Sequence, residues 1–529
     1  AILRFHDLEV MTGIYNSNLI DVVTYDDVAI ENVKYLRNYR IGSRTILFNI
    51  QEMSCTNHSK FGNGWLKKGE SEDVRVWIGV GNENDGRAVL PFESMLPADA
   101  YLWSRRRSDK KLLERFVELT ENGNTKELDT YGVIDEDVVI KNTTLLKDTK
   151  VGKSAYIKGA FKLKNITILS SEQEESQIGE GVELVNGIVG YGSRIFYQAV
   201  GVRFVIGRNC QVKYGARILN SILGDNSTVS CCEILNNLIF PFHEQHHNSS
   251  FLIATTILGQ SNIAAGATIG SNHNSRSPDG EIYAGRGFWP GLCSDFKHNS
   301  KFASFVLVSK GSYQHELNIT YPFSLVAFKA EQEPIHIIPA YWFLFNMFAI
   351  ARNNYKFKKR DKRVVKVQHI ETDPLAPDAM QEVLVAIERL IVLTKDYLKH
   401  IGEESVINAG SEQNELQAAK DYLHQNTDAD FTLFDPLCQK KYGATIFKPV
   451  KAYKEYRKIL KYFAARSIVE YCKENGYEKF TREVLEQMEK ISLFTHWQNM
   501  GGQIIPTIKI DQMCQKIKDG QIDSWDEVH

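Results

Sequence analysis

Ile178-Gly-Glu-Gly-Val-Glu-Leu184-Val-Asn-Gly-Ile-Val189-Gly-Tyr-Gly-Ser-Arg-Ile195 carries an aliphatic residue at every fifth or sixth position. The same beat runs upstream through Ile134, Ile140, Leu146, Val151, Ile157, Leu163 and Ile168. Downstream it continues through Val200, Ile206, Val212, Ile218, Leu223, Val229 and Ile234. An α-helix repeats its apolar residues every three or four positions and an open strand every two, so neither gives this spacing. Steps of six, six and five make a 17-residue turn of three short faces, each sending one aliphatic side chain inward. Glycines follow several rungs (Gly152, Gly179, Gly190, Gly207, Gly224), where tight corners are expected. The predicted fold is mainly β: a left-handed parallel β-helix of hexapeptide-repeat type, with an inserted helical segment and an α-helical C-terminal region.

An imperfect piece of the beat already stands at Val22, Val28, Val33, Ile41 and Ile46. Residues 51–130 depart from it. There Pro97 opens a helix through Leu102, Leu112 and Leu119 that Asn122-Gly123 closes, which reads as an insertion or lateral cap. The main ladder has two predicted interruptions, Ser170–Gln177 and Pro241–Ser250. Beyond about 340 the period becomes helical, as in Val383, Ile387, Leu390, Thr394, Tyr397 and Ile401. The predicted units are a first coil with its capping segment (1–130), the β-helix (131–335) and the helical region (336–529).

Lys+Arg 63 against Asp+Glu 65 leaves no global field to recruit nucleic acid or an anionic membrane. The run from Tyr341 to Ala351 is broken by Asn346 and is too short for a membrane span, so no insertion is expected. Charged residues at Arg4, Asp7 and Glu9 argue against a signal peptide, and a start at Ala1 leaves room for an upstream segment. Eight cysteines without a C-x-x-C pair suit reduced thiols and a cytoplasmic location, with Cys231 and Cys232 read as buried fillers.

Chemistry is expected where histidines gather. His243, His246 and His247 fall in the second interruption, His273 follows the Ile269 rung, and His298 opens a polar run. The string His243-Glu-Gln-His-His247 matches a zinc-protease motif literally. That motif needs a helix to put both histidines on one face, and Pro241 with a β-helical context removes it. Two roles remain open. His273, His243 or His246 would serve as general base toward an acceptor hydroxyl, with Asn272, Asn274, Arg276, Arg286 and His298 positioning substrate. Alternatively His243, His246 and His247 would hold zinc or a similar metal. Polar loop residues that only hydrogen-bond one another are the bland alternative. The basic cluster Lys356, Lys358, Lys359, Arg360, Lys362 and Arg363 reads first as a solvated helix end and second as a contact for phosphate or a cofactor tail.

Gln177–Gly190 is a hexapeptide-repeat sequence, and Val212–Asn226 resembles the corresponding coils of sugar-nucleotide-linked acyltransferases. Asn236–Arg276, Gly285–Leu292, Lys297–Ser304, Phe61-Gly-Asn-Gly64 and Asn499–Pro506 resemble an uncharacterised bacterial domain-of-unknown-function family built on a left-handed β-helix. The wider resemblance implies a homotrimer that uses acyl-CoA as co-substrate on a sugar or sugar nucleotide. It also reaches the γ-class carbonic anhydrases, which implies a metal-binding lyase or hydrolase as the alternative; a non-catalytic ligand-binding scaffold is the third. No Gly-rich nucleotidyltransferase loop stands near the start.

Overall fold

A computed structural model describes the chain except for residues 85, 123, 125, 129, 272–279, 331, 427–429 and 491–494. A parallel β-solenoid dominates it, with helices in the C-terminal region. Successive turns stack in register. Glu183 pairs with Val200 and Val200 with Arg217, each 17 positions on. Each turn has three faces. Ile46–Phe48, Val139–Lys141 and Tyr156–Lys158 lie on the first, Leu145–Lys147 and Lys162–Lys164 on the second, and Thr149–Val151 and Ile166–Ile168 on the third.

The corners follow from backbone chemistry. In regular turns the chain takes a left-handed residue at each corner, as at Asn32, Asn38 and Arg44, or Asn142, Asp148 and Ser154, with φ between 53° and 60°. Asparagine tolerates that region better than most residues, which explains its frequency there. The glycines expected to make tight corners act differently. Gly190 and Gly207 are not in the left-handed region. A Cβ on either would lie 2.6 Å or less from an atom of the next coil, so glycine there permits close stacking. The left-handed residues come two positions later, at Gly192 and Asn209.

The aliphatic ladder is the core, with two corrections. Val200 is only partly buried; the inward residue of its strand is Gly201, which pairs between Leu184 and Ile218. Phe204 fills the space, its ring contacting the positions where Gly187 and Gly201 lack a Cβ. The second correction is larger. Residues 241–250 do not leave the coil: Glu244–Gln245 pairs with Thr228–Val229, and Phe251 with Glu233. Only the side chain changes, because Gln245 stands in the inward column where Val229 precedes it. The excursion lies further on. Thr255 pairs with Ile282, 27 positions away.

The inserted segment leaves and rejoins within one turn. Ile46–Ser54 supplies its first and second faces, and Gly132–Ile134 supplies the third, beside Tyr39–Ile41. Residues 55–131 therefore project from a single corner. Their helices, Pro97–Arg105 and Lys110–Glu121, pack on the third face against Ile188, Val205, Ile222, Leu238 and Leu258. At the far end Leu325–Ala327 pairs with Ile335–Ile338. Helices Pro377–His400 and Pro449–Glu474 then continue the same core through Val383, Leu390, Tyr453 and Tyr456. Residues 497–528 return along the third face, adding Met500, Ile510, Cys514 and Trp525 to the packing under the insertion.

Candidate functional site

Phe61-Gly-Asn-Gly64 joins the insertion to the solenoid. Gly62, at φ +87°, lies so close to the third face that a Cβ would sit 2.3 Å from the Gly187 carbonyl oxygen. Its N–H donates to Asn165 Oδ1 (2.8 Å), and Thr167 Oγ1 donates to the Phe61 carbonyl (2.7 Å). Gly64 is held from both sides, donating to the Pro91 carbonyl and accepting from Arg75 (2.8 Å). This anchor presents Trp65, partly exposed, at the junction of two clefts.

The larger cleft, about 830 Å³, lies between the insertion, the third-face corner and the C-terminal segment. Trp65, Phe92 and Trp525 give it aromatic walls; Asn122, Asn124, Tyr191, Arg208, Asp225 and His529 give it polar ones. The smaller, about 420 Å³, adjoins it through the shared residues Trp65, Glu93 and Asn124. Its walls include Arg40, Asn63, Lys67, Tyr131 and Lys150.

The charges are arranged unevenly. In the large cleft Arg208 lies 4.4 Å from the Tyr191 ring centroid and pairs with Glu174 at 2.9 Å. Burial raises the Asp225 carboxyl above its ordinary range, opposed by Arg363 at 3.4 Å. Arg363 also holds Asp361, whose carboxyl stays at about 2 although burial pushes the other way. His529 Nε2 lies 2.9 Å from Asp99 Oδ2. Burial disfavours its charge, but Asp99 raises the imidazole above its usual value. In the small cleft Lys150 pairs with Glu93 (2.8 Å), whereas Lys67, among the described residues, donates to the Glu127 carbonyl (2.9 Å) and Thr130 Oγ1 (3.3 Å). A hydroxylated ring can stack on Trp65 and hydrogen-bond the asparagines and carboxylates around it.

Of the predicted histidines, His243, His246, His247 and His298 are not brought to this groove. His243 is inside the coil at 0% exposure, with Nδ1 2.8 Å from Ser261 Oγ and Nε2 3.1 Å from Gln245 Oε1. Burial lowers its pKa to about 4. His246 and His247 sit exposed at the next corner, ring centroids 4.4 Å apart. Among the described residues no cluster of three or more His, Cys, Asp or Glu is placed to hold a metal ion. Arg286 is buried and bidentate to Asp378 (2.7 Å for both bonds), and His298 is buried. Asn272, His273, Asn274 and Arg276 lie outside the described residues. Within the basic cluster Lys356 and Arg360 pair with Glu244, and Arg363 is buried. Cys232 is buried as expected, while Cys231 is half-buried and Cys293 exposed; all eight thiols are free. Trp65, Asn63, Lys67 and His529 were missed. The only hint was the Phe61–Gly64 motif, which draws attention to its glycines rather than to Trp65.

Fold and groove define a parallel β-solenoid protein with a clefted lateral insertion. The chain belongs to the family described as domain of unknown function DUF4954, whose model matches residues 5–394. It is 45% identical over 532 aligned positions to an uncharacterized protein of Treponema pallidum (strain Nichols), taking in 100% of this chain and 71% of that protein. No helix among the described residues is long and apolar enough to cross a membrane.

Proposed function

We propose that the protein binds a hydroxylated, ring-bearing small molecule of sugar type in the groove between its insertion and the third solenoid face. The observation that carries this reading is the meeting of the two clefts at Trp65, beside Glu93 and Asn124. An aromatic face flanked by amide and carboxylate groups suits a sugar, whose ring presents C–H bonds on one side and hydroxyls at its edge. A thermal-shift screen of mono- and disaccharides tests it. A ligand that binds the folded state raises the melting temperature, and Trp65→Ala should abolish that rise. No stabilisation by any sugar, or a rise unchanged in Trp65→Ala, would overturn the reading.

Acyl transfer to the bound hydroxyl is a second reading, favoured by the His529–Asp99 pair that lines the same cleft. An imidazole oriented by a carboxylate can take the hydroxyl proton as the oxygen attacks the carbonyl carbon of a thioester such as acyl-CoA, and return that proton to the sulfur as the C–S bond breaks and the free thiol leaves. On this reading His529→Gln keeps sugar binding and loses acyl transfer; transfer that persists in the variant rules the base out. The free thiols fit a reducing compartment such as the cytoplasm. A trimer would use the first and second faces, since the third is covered by the insertion and the C-terminal segment.

A further inference from the structure

Two lysines of one loop are buried to a similar degree and treated in opposite ways. Lys60, 7% exposed, is bidentate to Glu70 at 2.8 and 2.7 Å. Lys67, 4% exposed, has no carboxylate salt-bridge partner among the described residues; a carbonyl and a hydroxyl take two of its three ammonium protons. A buried, unneutralised ammonium is costly unless a counter-charge arrives. Lys67 lines the small cleft, and so does Arg40, exposed beside the Tyr131 ring at 5.4 Å and likewise without a salt-bridge partner among the described residues. Asn63 completes the wall. It is 1% exposed, and its Nδ2 is fixed on the Lys60 carbonyl (2.9 Å), so its Oδ1 is the acceptor end; that atom has no hydrogen-bond partner among the described residues. An unsatisfied buried acceptor in the same wall as cations without an ion-pair partner among the described residues suits a ligand carrying both a hydroxyl and a negative charge.

Resting on the groove reading, we propose that the small cleft is the anion subsite of the groove, so that the ligand is a sugar bearing a phosphate or carboxylate. Lys67 and Arg40 receive the anionic group, Asn63 Oδ1 accepts from a neighbouring hydroxyl, and the ring lies toward Trp65. Isothermal titration with matched probes tests this: glucose against glucuronate, glucose against glucose 6-phosphate, and inorganic phosphate alone. The charged member of at least one pair should bind tenfold or more tighter than glucose. Lys67→Met should remove that preference, read as the ratio of charged-sugar to glucose affinity within the same variant. Arg40→Gln, at an exposed position that does not threaten folding, should weaken the preference several-fold. Equal affinities within both pairs, or a preference that survives Lys67→Met and Arg40→Gln, would overturn the anion subsite while leaving the groove reading intact. Inorganic phosphate binding as tightly as glucose 6-phosphate would overturn the part assigned to Asn63. Failure of every sugar, charged or neutral, would instead bring down the groove reading and this subsite with it.

Discussion

His243 and Gln245 form, with Ser250 and Ser261, a polar patch inside an otherwise aliphatic coil. Every link is a hydrogen bond, so the patch is tolerated, but only with a neutral imidazole. The His243 pKa is depressed from 6.5 to about 4, so its contribution is complete above 6.5 and is lost as pH falls toward 4. Urea unfolding at pH 7 and pH 4.5 should show an acid loss of the order of 3 kcal/mol from this group, absent in His243→Gln. Glu382 has the opposite sign. Burial raises its carboxyl to about 7, against the Ser304 N–H at 2.7 Å, so stability declines as pH rises from its ordinary 4.5 through 7. Glu382→Gln should be the more stable protein at pH 8 by the order of 1 kcal/mol, discounted for its partial exposure; equal unfolding midpoints would refute it. The sequence showed that something happens near His243, because the aliphatic column fails there. It could not show that the coil continues, because an inward Gln and a loop break a period in the same way.

The insertion docks through backbone as much as through side chains. Gly62 is a point of close approach, with a left-handed backbone and a carbonyl where a Cβ would stand. Gly62→Ala should therefore lower stability by about 2 kcal/mol or more and raise hydrogen exchange across residues 55–131. Unchanged exchange in the variant would show that the apolar face of the helices is enough to hold the insertion. That covered face was legible and easily passed over. Third-face strands such as Phe204-Val-Ile206 and Ser221-Ile-Leu223 are buried throughout, whereas first-face Gln211-Val-Lys213 buries only its middle residue. A strand apolar on both sides is covered on both sides. Which segment covers it was not legible, because the pairing joins residues hundreds of positions apart, as when Arg115 donates to the Asp523 carboxylate and the Ile517 carbonyl.

At the scale of the molecule, one solenoid serves as a frame on which three distant stretches of chain converge: the insertion near Trp65, the third-face corner near Arg208 and Asp225, and the C-terminal segment near Trp525 and His529. The fold was readable because its period is local and repeated. The groove was not, because no short motif joins residues 63, 124, 208 and 529. Trp65→Ala should weaken sugar binding at least tenfold, about 1.4 kcal/mol, without changing the unfolding midpoint by a comparable amount. The most direct measurement is a crystal structure of the protein soaked with the sugar that stabilises it most. Ring density stacked on Trp65, with a hydroxyl within hydrogen-bond distance of Asn124 or Glu93, is the predicted result. Density instead at the His243–His247 corner or against residues 272–276, with the Trp65 groove empty, would contradict it and return the function to the histidines.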